Sequence, residues 1–237
     1  MSFLILIRHG QSIWNLENRF TGWVDVDLTD RGKLEAETAG KLIKEKKINI
    51  DLYYSSLQLR ANNTLKIIQE VLDDKKGFVR AWELNERHYG ALTGLNKLEM
   101  IDKLGEEEIR KFRRSWDIRP EALSKKSSFH PINIQAYKQI PKNILPDTES
   151  LKDTYKRVLK FFIDEIQMKM ADKNILISAH GNSIRALCKY LFKLDENQIS
   201  KLEIPTGNPL VITLNKELGI KKCEYLDPTR SKDLLVY

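Results

Sequence analysis

A chain of 237 residues, 41% hydrophobic and 31% charged, is long and apolar enough to bury a substantial core, and it suits one large α/β domain. Its 40 Lys and Arg outnumber 33 Asp and Glu, which favours anionic partners; the positive charge is nevertheless scattered, without the basic runs or basic–aromatic interleaving of a nucleic-acid binder. No apolar run approaches the ~20 residues a membrane span needs, and Cys188 and Cys223, lacking CxxC spacing or metal partners, point to a reducing cytoplasm.

Met1-Ser2-Phe3 leads directly into Leu4-Ile5-Leu6-Ile7, so no signal peptide is expected. Four consecutive aliphatics without alternation predict a strand buried on both faces, as in a parallel sheet. Arg8-His9-Gly10 closes it, where ligands bind in open α/β sheets. Arg8 offers a fork matched to phosphate or carboxylate, His9 a nucleophile or base, and Gly10 room for the backbone to approach a bulky anion. Alone, this tripeptide fits an ordinary turn equally well.

Gln11-Ser12-Ile13-Trp14-Asn15 and Asn18-Arg19-Phe20-Thr21-Gly22-Trp23 form a polar loop whose Ser12, Asn15, Thr21 and Gly22 could bind a phosphate. Trp14 and Trp23 are expected to pack. Thr29 should cap a helix running to about Lys46, and Asp51–Ser56 the next strand. A helix then carries Arg60 in its first turn, either near anion-binding amides or on the surface. An edge strand is predicted at Phe78–Trp82, followed by an aperiodic segment, Leu84 to Lys97, leading into a helix from about Leu98. Within it, Glu86 beside a phosphate would have its pKa raised, as a general acid/base requires; a lone loop glutamate is otherwise simply solvated. Residues 111–147 form an irregular, proline-punctuated excursion, in which Arg113-Arg114 reads as an anion clamp or a solvated face.

Ser150 and Asp153 resemble a capping box opening a helix through about Met170. Asn174-Ile175-Leu176-Ile177-Ser178-Ala179-His180-Gly181-Asn182 then repeats the design of the first strand. Parallel pairing would bring His9 and His180, two of four histidines, to one sheet edge. A helix at Ser183–Phe192, a turn at Gly207-Asn208-Pro209 and a last strand, Leu210–Leu214, complete the reading. The fold class expected is a three-layer α/β/α arrangement around a mostly parallel sheet.

These segments resemble the histidine phosphatase superfamily and, within it, the cofactor-dependent phosphoglycerate mutases. Arg8-His9-Gly10 is the superfamily signature. Asn18 to Trp23, Leu84 to Gly90, Gly94 to Lys97, Ala179 to Ser183 and Ile204 to Gly207 with Pro209-Leu210-Val211 match more specifically, in order, from residue 4 to about 214. The resemblance implies a glycolytic and gluconeogenic interconversion of 3-phosphoglycerate and 2-phosphoglycerate. It implies 2,3-bisphosphoglycerate as cofactor, small phosphoglycerates as partners, no metal, and no nucleic acid or membrane; homodimer and homotetramer both stay open. By the same resemblance His9 is phosphorylated in turnover, Glu86 moves the proton, and His180 stabilises the phosphoryl group together with Arg8, Asn15 and Arg60. Thr21 and Gly22 contact substrate, and Tyr89, Lys97, Arg113, Arg114 and Asn182 hold the remainder. Gly10, Gln11, Ser12, Arg87, His88 and Gly181 complete the implied site. The four histidines show no ligand spacing such as HExxH.

Two departures stand out. Leu59 occupies a place where these mutases often carry a basic residue. The tail after Leu226 differs from the family's tails, which tend to cover the site; water reaching phosphohistidine means hydrolysis. A broad phosphomonoesterase using the same His9 and Glu86 is therefore the main rival, and a non-catalytic phosphate-binding module a distant one.

Overall fold

A computed structural model describes residues 1–231, which form a six-stranded sheet covered by helices on both faces. In chain order the elements are β1 (Ser2–Arg8), α1 (Ile13–Leu16), α2 (Asp30–Glu45), β2 (Leu52–Ser55), α3 (Leu59–Leu72), β3 (Val79–Arg80), α4 (Lys97–Leu104) and α5 (Glu106–Arg114). There follow α6 (Leu151–Phe161), β4 (Ile175–Ala179), α7 (Gly181–Leu191), α8 (Glu196–Lys201), β5 (Leu210–Leu214) and β6 (Ile220–Tyr225). The sheet order is β3-β2-β4-β1-β5-β6; β1 to β4 run parallel, and β5 runs antiparallel to both its neighbours, β1 and β6. The mostly parallel, three-layer expectation therefore holds.

The aliphatic runs explain the layers. In β1, Leu4 and Leu6 face a cluster built from Leu151, Val158, Ile184 and Leu187 of α6 and α7. Ile5 and Ile7 point oppositely, onto Ala39 and Ile43 of α2 and Leu65 and Ile68 of α3. A two-sided strand must be apolar at every position, and each such burial contributes ~1.5–3 kcal/mol. Cys188 belongs to the first cluster as a small core residue.

Local signals set the helix starts. The Thr29 hydroxyl accepts from Gly32 N at 3.0 Å. At α6 the box closes reciprocally, Asp153 N donating to Ser150 Oγ (3.2 Å) and Ser150 N to Asp153 Oδ2 (2.9 Å). Trp23 is buried against Tyr137, whose hydroxyl donates to the Trp23 carbonyl at 2.6 Å, so the excursion is fastened to the first loop.

Several boundaries differ from expectation. β3 is two residues long, with Val79 52% exposed, because it stands at the sheet edge and pairs only with Tyr54 and Ser55. The helix after Leu98 is divided at Gly105, whose φ of +87° suits glycine and ends one helix before the next. The segment after Phe161 widens into a π turn at Phe162–Ile166 and then tightens at Gln167–Ala171. Phe162, Ile166 and Met170 are all buried in the same cluster, so the segment keeps its apolar side on the core through both changes of pitch. Strand β6 is an additional element: its Ile220-Lys221-Lys222-Cys223 has the composition of surface, and pairing with β5 alone makes it a strand.

Of the tail 227–237, residues 232–237 lie outside the described residues. Before them, Arg230 donates to the Thr206 carbonyl at 2.5 Å and stands 3.7 Å from Glu35. Among the described residues no helix is long and apolar enough to cross a membrane.

Candidate active site

Strand register places the two histidines. Arg8 of β1 pairs with Ala179 of β4, so the residues that follow, His9 and His180, emerge side by side. Their ring centroids are 5.0 Å apart, and His9 N donates to the Ala179 carbonyl at 3.0 Å. Both are buried, at 3% and 0% exposure. The His9 Nδ1 lies 2.7 Å from the Gly10 carbonyl, which makes it the protonated nitrogen and leaves the Nε2 lone pair as nucleophile. Burial, then the Arg60 and Arg8 guanidiniums, hold His9 well below the ordinary imidazole range. Burial, Arg60, His9, Arg157 and Arg8 do the same to His180. Both rings are neutral near pH 7.

Arg60 reaches this point from the first turn of α3. Its Nη2 and Nη1 donate to the Gly22 and Val24 carbonyls, each at 2.9 Å, and its Nε to His9 Nε2 at 3.3 Å. Loop carbonyls, rather than helix amides, aim this cation. Gly22 has φ +52°, the left-handed conformation that turns its carbonyl inward. Arg8 is held by Nη1 donating to the Ile204 carbonyl at 2.8 Å, and its buried Nε has no hydrogen-bond partner among the described residues.

Glu86, 8% exposed, faces them on the segment after β3. Its Oε1 accepts from Arg87 N (2.7 Å) and Asn182 N (3.2 Å). A Cβ at Gly181 would stand 3.6 Å from Arg8 Nε and 3.8 Å from Glu86 Oε2, so glycine keeps the space between acid and cation clear. The segment itself is held by Arg157 of α6, which donates to the carbonyls of Glu83 (2.5 Å), Asn85 (2.9 Å) and Glu86 (3.0 Å) and pairs with buried Glu149 at 2.7 Å. Glu149 in turn accepts from His88 N at 2.8 Å.

Two adjoining cavities share Arg8, Glu86, Tyr89 and Arg113. One, about 90 Å³, is bounded also by His9, Asn15, Thr21, Gly22, Arg60 and Lys97. The other, about 110 Å³, reaches Arg114, Gly181 and Asn182. Burial, reinforced by Arg113 and Arg8, lowers Lys97 from the ordinary lysine value. Cavities of about 410 and 570 Å³ elsewhere are larger but contain neither histidine.

Several residues implied by resemblance also have structural contacts of their own. Gly10 approaches the backbone of α2: a Cβ there would lie 2.1 Å from the Gly32 carbonyl oxygen. Gln11 binds Thr29 through its carbonyl and side chain, and Ser12 caps α1 by accepting from Asn15 N at 3.3 Å. Arg87 is fully buried, its guanidinium 4.7 Å over the Tyr89 ring and bonded to the Arg113 carbonyl at 3.0 Å. His88 packs beside His130 and accepts from Gly90 N at 2.9 Å, away from both cavities. Leu59 borders a separate cavity with Asp25 and Arg80.

Conversely, Arg19 and Phe20 border the first cavity and Arg185 and Glu203 the second. Arg185, a charge inside the apolar run Ile184 to Leu187, could have been suspected; its Nη1 donates to Asn182 Oδ1 at 2.9 Å. Glu203 pairs with Arg114 and carries no sequence signal. Among the described residues no group of three or more His, Cys, Asp or Glu side chains could hold a metal ion.

Burial has a consequence for stability. His88 is pushed down to about 3, by burial and then by His130. An unfolded histidine takes up a proton below pH ~6.5 that this one refuses, so its contribution is complete above that pH and lost as pH falls toward 3. At pH 5 the loss from this one group is ~2 kcal/mol, with His9 and His180 acting in the same direction. Urea unfolding at pH 7.5 and 5.0 should show it; a His88 ring titrating near 6.5 by NMR would contradict it.

Residues 4–133 and 124–221 match the sequence profile of the histidine phosphatase superfamily (branch 1). The 2,3-bisphosphoglycerate-dependent phosphoglycerate mutase of Pelagibacter ubique is 69% identical over 238 residues, covering 100% of both chains. That of Borreliella afzelii is 50% identical over 225 residues, 94% of this chain and 91% of the relative. Among solved structures, the alpha-ribazole phosphatase of Shigella flexneri superposes with a TM-score of 0.69 at 20% identity, covering 99% of each chain, a likeness of fold. The chain belongs to the histidine phosphatase superfamily, and within it to the family of the 2,3-bisphosphoglycerate-dependent phosphoglycerate mutases.

Proposed function

We propose that this chain interconverts 3-phosphoglycerate and 2-phosphoglycerate through a phosphohistidine at His9, as a cytoplasmic enzyme of glycolysis and gluconeogenesis. The observation that carries the reading is a neutral, oriented imidazole between two guanidiniums, opposite a carboxylate, in a cavity that continues to further cations. A monophosphatase needs the first of these cavities. A substrate with a second anionic group uses both, which favours the mutase over the phosphomonoesterase. The residues also fit the cofactor: a bisphosphate has two highly charged ends, and the buried, unpartnered Arg8 Nε and His180 Nδ1 sit on cavity-bordering groups or beside them. Arg8, Arg60 and His180 would hold one end and Lys97, Arg113 and Arg114 the other. When bound, 2,3-bisphosphoglycerate supplies the phosphoryl group that charges His9.

The protein's own contribution is positioning and charge. His9 Nε2 attacks in line, and the Arg60 N–H now directed at that nitrogen passes to an equatorial oxygen. Transfer onward breaks the P–N bond and forms a P–O bond to the substrate hydroxyl, whose proton goes to the Glu86 carboxylate. In the reverse half Glu86 returns that proton to the departing oxygen as His9 regains a phosphoryl group.

Turnover of 3-phosphoglycerate with and without added 2,3-bisphosphoglycerate tests the reading: 2-phosphoglycerate should form, stimulated by the bisphosphate. Release of inorganic phosphate alone would replace it with the phosphatase.

Arg113 borders both cavities, whereas Arg114 borders one and is paired with Glu203. Neutralising Arg113 should therefore raise KM for phosphoglycerate by roughly 10–150-fold, the equivalent of a charge-assisted hydrogen bond, and neutralising Arg114 by less. Hydrolysis of a small monophosphate should change little. Equal losses on both substrates would assign the pair to folding.

A further inference from the structure

We propose that Ser56 is a positioning residue that fixes the tautomer of His180, placing the ring proton on Nδ1. Ser56 follows β2 directly and is fully buried. Its Oγ lies 2.8 Å from His180 Nε2 and accepts from Gln58 N at 3.1 Å. A hydroxyl has one proton to give. If His180 donated through Nε2, the Ser56 proton would need another acceptor, and among the described residues Ser56 Oγ bonds only to His180 Nε2 and Gln58 N. That tautomer would leave two buried groups without a partner, the Ser56 proton and the Nδ1 lone pair, whereas a hydroxyl donating to Nε2 leaves only the Nδ1 N–H, so the hydroxyl donates and the ring carries its proton on Nδ1.

The consequence falls on the transferring group, and to that extent the inference rests on the function proposed above. The His180 Nδ1 is buried and makes no hydrogen bond among the described residues, on a ring whose centroid lies 5.0 Å from that of His9. An N–H there donates to a phosphoryl oxygen; a lone pair there would repel it. Protonating both nitrogens instead would add a charge beside Arg8 and Arg60, which together with burial already hold this ring neutral. The His180 backbone is fixed separately, its N–H donating to Ser183 Oγ at 3.0 Å, so Ser56 acts on the ring. Gln58 completes the device from the same short segment. Its fully buried side chain accepts from Glu86 N at 2.9 Å and donates to the Gly22 carbonyl at 2.9 Å, tying the proton carrier and the Arg60-aiming loop to the turn that bears Ser56.

Long-range ¹⁵N–¹H correlation on histidine-labelled protein, with His180 assigned by its loss in His180→Gln, reads the tautomer without any turnover. A protonated Nδ1 and an unprotonated Nε2 are expected; a protonated Nε2 in the unaltered protein overturns the proposal. Ser56→Ala should release the preference and lower kcat about 10-fold with KM within about twofold, the loss of one buried hydrogen bond expressed in rate. Ser56→Thr, which keeps the hydroxyl, should restore both tautomer and kcat. A Ser56→Ala protein with unchanged tautomer and kcat would also overturn it. Should the threonine variant not fold, the spectrum of the unaltered protein decides alone. A protein showing the expected tautomer but forming no 2-phosphoglycerate would sink the functional reading and leave this assignment standing.

Discussion

His9→Ala should abolish phosphoryl labelling and lower mutase turnover by at least ~10⁴-fold, since losing a nucleophile removes the covalent path entirely. Incubation of the unaltered protein with 2,3-bisphosphoglycerate should add one phosphate, acid-labile and base-stable as a phosphoramidate is. The Nδ1 contact to Gly10 directs the bond to Nε2, so the product should be the Nε2-linked phosphohistidine. Because burial, Arg60 and Arg8 lower the His9 pKa, acidification from pH 8 to 6 should not slow single-turnover labelling as it would for an ordinary imidazole. Labelling that survives His9→Ala, or a rate falling through pH 6.5 with His9 titrating there, would move the nucleophile elsewhere. The truncation should leave the fold intact. The His9 ring faces the cavity, and its backbone stays pinned to Ala179.

Glu86→Gln should keep the fold and still bind phosphoglycerate, yet slow phosphoryl transfer by ~10²–10⁴-fold, the range typical of a general acid/base. The structure explains why the fold survives. The amide oxygen of glutamine can occupy the Oε1 position and accept from Arg87 N and Asn182 N as before. The other atom then becomes an NH₂ that neither takes nor returns the substrate proton. Arg8, across the space left by Gly181, is untouched, so KM should move far less than kcat. Near-normal turnover would give the proton role to another group. A large rise in KM with kcat preserved would make Glu86 a binding residue.

The composition of β1 and β4 dictated a two-sided parallel core by itself, because only a strand covered on both faces is aliphatic at every position. The caps at Thr29 and Ser150 were equally local, since the bonds that make them span three residues. His-Gly at two strand ends was visible too. Their meeting was not: it depends on β1 and β4 being neighbours in register, with β2 beyond β4.

Long-range contacts decided the rest. Arg60 becomes a site residue because carbonyls 36 and 38 positions away in sequence aim it. Gly10 packs at a helix crossing and His88 bonds within its own loop, contacts no motif announces. Arg157, Ser56 and Gln58 went unseen because the bonds that tie them to Glu86, Asn85 and His180 span 28 to 124 positions, and no local pattern marks a polar residue whose partner is supplied by another layer. Sequence determined which residues could do chemistry and which segments were core. Tertiary structure decided which of them share a cavity, because hydrogen-bond geometry is set by strand order and register, and a single chain of letters contains neither explicitly.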